Sequence, residues 1–167
     1  MNVPTIDEIV SEARKIRRAL ELCDKKTTPL ITVDFPVMNC KLSSLVFAYH
    51  ALKKWPSISV HGVYGVASDH YGNYTISHYW IELQGVSVDI TADQYNSIED
   101  KELNSKIINS RPFSHISVGR TGSSPIHSIF NICGRDTYTD GFPELAEDFL
   151  EELHDCYEIL GGVTLHS

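Results

Sequence analysis

Long apolar runs are missing from this chain, and its first ten residues, MNVPTIDEIV, lack the basic start and apolar core of a signal peptide. A spanning helix and export by the standard route are therefore not expected; the protein reads as cytoplasmic, or as delivered without a standard signal peptide. Positive charge is also scarce: 14 Lys and Arg stand against 22 Asp and Glu, a net charge of −8. That balance argues against a nucleic-acid partner, which needs a basic surface to displace counterions, and the short basic run at 14–18 has opposite charges on both flanks. The four cysteines, Cys23, Cys40, Cys133 and Cys156, are scattered and form no CxxC. Neither a disulfide scaffold nor a structural zinc site is expected, and a reducing compartment leaves room for a working thiol. His50, His61, His70, His115, His127, His154 and His166 show no ligand spacing with a carboxylate or cysteine partner, so neither metal nor other cofactor is expected. Internal repeats and low-complexity segments are absent.

What remains is ordinary globular material: 167 residues, 42% apolar and 22% charged, suited to one domain over residues 1–167. Ile6, Ile9, Val10, Ala13, Ile16 and Leu20 recur at helical spacing behind Thr5, a suitable N-cap. A short strand is expected at 30–34. A second helix begins at Asn39-Cys40-Lys41 and runs to 54 through Leu42, Leu45, Val46, Tyr49 and Leu52. Residues 57–67 read as a strand with a glycine-marked bulge, 98–109 as partly helical and 115–119 as a strand. The last helix is expected at 143–160, with Pro143 in its first position and Leu145, Phe149, Leu153, Tyr157 and Leu160 on one stripe.

The most informative stretch is 73–91, NYTISHYWIELQGVSVDIT. Two runs rich in aromatic and β-branched residues flank Gln84-Gly85, so a hairpin pairing Leu83 with Val86 and Trp80 with Asp89 is predicted. Side chains alternate faces along a strand, which puts His78, Trp80, Asp89 and Thr91 on one side and Tyr79, Ile81, Val88 and Ile90 on the other, core side. His78 and Asp89 become a diagonal pair, roughly 7–8 Å apart at the backbone. The carboxylate is then expected to accept the imidazole Nδ1–H and orient a basic histidine. Cys40 at a helix start gains from the unpaired N–H groups and positive dipole end there, which favour thiolate. Taken singly, Cys40 is a small buried hydrophobe, His78 a strand histidine and Asp89 a strand-end residue; Trp80 reads as packing. Together they form the constellation of a thiol nucleophile with its base and orienting acid.

Asn-Cys at a helix start, followed by His-Tyr-Trp-Ile-Glu-Leu-Gln-Gly-Val-Ser-Val-Asp-Ile-Thr, resembles the transglutaminase-like group of papain-fold cysteine hydrolases over residues 36–95. The resemblance implies an α+β, papain-like fold with the cysteine helix packed on an antiparallel sheet of residues 57–67, 74–83 and 86–91, and with flanking helices. It implies Cys40 as nucleophile, His78 as base and Asp89 as orienting acid, with Trp80, Gly85 and Thr91 in support. Two positions depart from the pattern: Asn39 replaces a small residue, and Asp34 stands where a papain-like enzyme carries an oxyanion glutamine. An anion cannot donate to an oxyanion, so the Cys40 N–H and a second donor, Asn39 or Gln94, are the candidates. The implied activity is hydrolysis of a peptide, isopeptide or amide bond in a protein or peptide substrate through a thioester at Cys40. The alternatives are transglutaminase- or deamidase-type acyl transfer on glutamine side chains and a catalytically silent papain-like binding domain. No membrane partner is expected, and nothing in the sequence sets an oligomeric state.

Overall fold

A computed structural model describes residues 2–162. Helix α1, Ile6–Leu22, starts on a capping box: the Thr5 hydroxyl accepts the Glu8 N–H while the Glu8 carboxylate accepts the Thr5 N–H at 2.7 Å. Helix α2, Cys40–Lys54, begins immediately after Asn39. The strand expected at 30–34 is absent. Leu30 turns left-handed at φ 69°, and the Asn39 side chain clips the loop by accepting the Thr32 N–H and donating to Leu30 O. The segment thus folds on itself as successive turns rather than extending beside a partner.

Five strands form one antiparallel sheet: β1 Val60–Ala67, β2 Ile76–Leu83, β3 Val86–Asp89, β4 Ser117–Arg120 and β5 Asn131–Tyr138, in the order β4-β3-β2-β1-β5. The predicted hairpin is present with Leu83 opposite Val86. Gln84 and Gly85 sit at φ 50° and 72°, the left-handed pair that a two-residue turn between twisted strands requires. The glycine-marked bulge is also present, as a register shift between Tyr64 and Gly65 where β1 meets β5. Gly62 is needed for close approach, since a β-carbon there would lie 1.7 Å from Tyr79 Oη.

Helices α1, α2 and α4 (Glu147–Leu160) cover one face, packing Ile16, Leu45, Ala48 and Leu153 against Tyr79, Ile81, Val88 and Ile90. Helix α4 begins at Glu147 rather than at Pro143. Phe142, buried and left-handed at φ 49°, accepts the Leu145 N–H, so the first apolar residue of the expected stripe belongs to a turn. The opposite face, which carries His78, Trp80 and Asp89, is buried as well. It lies under residues 92–113, including the short helix α3 Ser105–Ser110, and under 126–130, through Tyr95, Leu103, Ile107, Ile126 and Phe130. No helix among the described residues is long and apolar enough to cross a membrane.

Candidate active site

Cys40 is the first residue of α2, half-buried, and Ser43 N–H makes the helix's first bond, to Asn39 O at 3.0 Å. The Cys40, Lys41 and Leu42 N–H groups precede that ladder, so the thiol sits at the positive end of the helix. Burial pushes the thiol up. The hydrogen bond and positive charge of His78, with the Tyr79 N–H, outweigh burial and bring Cys40 below its ordinary 9.0.

The diagonal pair meets as the hairpin register requires: His78 and Asp89 have no exposed surface, and His78 Nε2 lies 2.6 Å from Asp89 Oδ2. The nitrogen differs from the expectation of Nδ1. With Nε2 committed to Asp89, Nδ1 is the ring nitrogen left for Gln94 and for the interaction with Cys40. Burial would strip the proton from His78, but the Asp89 charge and hydrogen bond overrule it and raise the imidazole from 6.5 to about 10. Burial disfavours the Asp89 anion as well; the charge of His78 and the hydrogen bonds of His127 and His78 hold the carboxyl well below its usual range. The carboxylate takes a third N–H from Thr91, which reaches Oδ1 at 3.1 Å.

No family model, curated protein or solved structure matches this chain. The chemistry of the site therefore rests on its own geometry.

Gln94, in the 3-10 turn Ala92–Asn96, places its amide at the third side of this group. Its Oε1 accepts the Met38 N–H at 3.3 Å, which orients Nε2–H toward His78 Nδ1 at 3.2 Å. In the neutral, Nε2–H form of the imidazole, Nδ1 keeps its lone pair and accepts the Gln94 N–H; the imidazolium gives that place up. Arg17 of α1 secures this turn. It is buried, bonds both oxygens of Asp93 at 2.7 Å, donates to Ile90 O, and lies 4.9 Å over the Phe35 ring. One guanidinium thus joins the turn holding Gln94 to the loop that leads into Cys40. Asn39 does not serve as an oxyanion donor, because its amide is committed to Leu30 and Thr32; Asp34 is exposed. A cleft of about 280 Å³ lined by Val37, Met38, Ile76, Gln94, Tyr95 and Leu103 reaches this edge of the site.

His127 is a member of the site that sequence reasoning passed over. It comes from a 3-10 turn, His127–Ile129, after the Pro125 loop, and its Nε2 lies 2.9 Å from Asp89 Oδ2. No spacing rule links positions 89 and 127; only the tertiary fold brings them together. His78 Nε2, His127 Nε2 and an Asp89 oxygen lie within 4.8 Å of one another, a two-histidine, one-carboxylate set. In this structure both imidazoles are hydrogen-bonded to the carboxylate.

The other expected bystanders lie apart from this cluster. His50 bonds Glu12 and Tyr157 between helices, His61 faces Thr137, His70 faces Asp100 O and His154 faces Tyr49. His166 lies outside the described residues. Cys23 and Cys156 are buried, and burial pushes Cys156 up to about 12. Cys133 stands exposed on edge strand β5.

Proposed function

We propose that this chain is a papain-like cysteine enzyme of the transglutaminase-like kind, catalysing acyl transfer through a thioester at Cys40. The single observation that carries the reading is the buried contact of His78 Nε2 with Asp89, 2.6 Å, in an imidazole that also interacts with the Cys40 thiol at the start of α2 and lowers its pKa. His78 Nδ1 takes the thiol proton, the thiolate attacks the acyl carbon, and the resulting oxyanion meets the Cys40 backbone N–H and the Gln94 Nε2–H. Proton transfer to Nδ1 displaces the Gln94 N–H from that nitrogen, which frees it for the developing oxyanion. His78 then protonates the leaving amine as the thioester forms, and water attacks the thioester to regenerate the thiol. Peptide, isopeptide or amide hydrolysis is the simplest outcome. An amine in place of water gives transfer, and a glutamine side chain as acyl donor gives deamidation or cross-linking.

A silent binding domain draws on the same Gln94 amide, which caps the nitrogen that must accept the proton. Two assays separate the readings. Iodoacetamide at pH 6 should alkylate Cys40 far faster than it does a free cysteine, with His78→Ala abolishing the difference. p-Nitrophenyl acetate should give a burst of nitrophenol and an acetyl adduct on Cys40 by peptide mass spectrometry. A Cys40 that reacts no faster than free cysteine and ignores His78→Ala overturns the assignment.

A further inference from the structure

We propose that His127 is a positioning residue for His78, a second imidazole that shares the Asp89 carboxylate and fixes the direction in which it accepts. This deepens the cysteine-histidine-aspartate reading and rests on it. Asp89 has no exposed surface and receives three N–H groups: Thr91 on Oδ1 at 3.1 Å, and on Oδ2 both His78 at 2.6 Å and His127 at 2.9 Å. Thr91 alone leaves the carboxylate free to tilt about its own Cβ–Cγ bond. His127 takes one of the two lone pairs on Oδ2 and leaves the other for His78.

The ring of His127 is itself immobilised. It stacks on Trp80 with centroids 4.1 Å apart and planes 6° from parallel. Trp80 Nε1 donates to Glu82 at 3.3 Å, and Arg135 of β5 holds the other oxygen of Glu82. A chain of contacts from the sheet edge to Asp89 thus sets one donor, and only 8% of His127 is exposed to solvent. His127 meets Oδ2 through Nε2, so it is that N–H which it gives to the carboxylate. The other titratable groups around Asp89 are Cys40 on α2 and Tyr95 in the 92–96 turn, whose hydroxyl donates to Ser77 O at 2.8 Å. Without His127, a dry carboxylate lone pair goes unmatched, and Asp89 becomes a better acceptor of the very proton that His78 must keep on Nε2.

The test is the pH profile of Cys40 alkylation between pH 5 and 9 for the wild type, His127→Phe, His127→Gln and His78→Ala. Phe keeps a ring on Trp80 but donates nothing; Gln restores an N–H. The Phe variant is expected to move its profile up by about one pH unit, lowering the pH 6 rate roughly tenfold, while Gln stays within about threefold of wild type. Phe and Gln profiles that both match wild type overturn the proposal, as does a Gln variant that falls as far as Phe, since packing alone would then explain the loss. A wild-type Cys40 indifferent to His78→Ala sinks the triad and this proposal together, whereas reactivity that needs His78 but ignores His127 sinks only the latter. Imidazole ¹⁵N NMR of the wild type requires no variant to fold: a proton on His127 Nε2 is expected, and an Nε2 without one refutes the role.

Discussion

Replacing Asp89 with Asn removes one charge from a site without solvent. Against burial, the carboxylate and, behind it, Cys40 raise His78 from 6.5 to about 10, a combined preference for the imidazolium of roughly 5 kcal/mol in which Asp89 is the larger part. Coulomb attraction over the 2.6 Å contact, taken at an effective dielectric of about 20, gives a similar figure of ~6 kcal/mol. Asn also offers a single oxygen where Asp89 serves three N–H donors, so its amide N–H₂ must confront either Thr91 or the two imidazoles. The thiol loses its stabilising imidazolium and Cys40 should titrate like an ordinary cysteine near 9.0, with about 0.1% thiolate at pH 6. Cys40 alkylation at pH 6 is expected to fall at least about 100-fold and to approach wild type above pH 9. A folded Asp89→Asn protein that alkylates within threefold of wild type at pH 6 would refute the electrostatic account. Stability gives a second readout with a definite sign. The raised His78 contributes fully below pH 6.5 and loses its contribution as pH climbs through about 10; the depressed Asp89 contributes above pH 3.8 and fades below it. The stability gap between wild type and Asp89→Asn should therefore be widest between about pH 4 and 6.5 and narrow on either side.

Gln94→Leu should split two activities that most damaging variants lower together. Removing the N–H from His78 Nδ1 leaves alkylation at pH 6 unchanged or faster, whereas the p-nitrophenyl acetate burst slows by about 100-fold for want of an oxyanion donor. A parallel fall in both would show that Gln94 only supports the fold. Gly62→Ala forces a β-carbon into the Tyr79 hydroxyl, 1.7 Å away, whose partners Asp136 and Tyr138 lie on β5. We expect a loss of about 2 kcal/mol and a melting temperature lower by roughly 4–8 °C in calorimetry. An unchanged melting temperature would mean that Tyr79 yields freely.

The parts of this molecule written in local pattern were readable in the sequence. Thr5 and the apolar spacing after it announce α1, the apolar spacing behind Cys40 gives α2, and Gln84-Gly85 fixes a register from which the His78–Asp89 contact follows. Strand β5 escaped because all of its residues but Tyr138 are exposed, so it has no buried side to impose a period of two. The loop before Cys40 misled for a related reason: Leu30 and Ile31 are apolar, but a left-handed Leu30 and the Asn39 clip bend them into turns. Burial of the His78 face was also invisible, because residues 92–130, which cover it, carry weak periodicity. The three candidate residues could thus be picked out from two patterned elements. Gln94, Arg17 and His127 take their roles from contacts across the fold: Arg17 spans 76 positions to reach Asp93 and His127 spans 38 to reach Asp89.

Cys133 on the outermost strand is a thiol in open water, while Cys23 and Cys156 are enclosed. Each molecule therefore carries its own stopwatch: the ratio of label on the peptide containing residue 40 to label on the one containing residue 133 cancels reagent decay, dosing error and protein concentration. Every kinetic comparison among variants can be read from that internal ratio in a single digest.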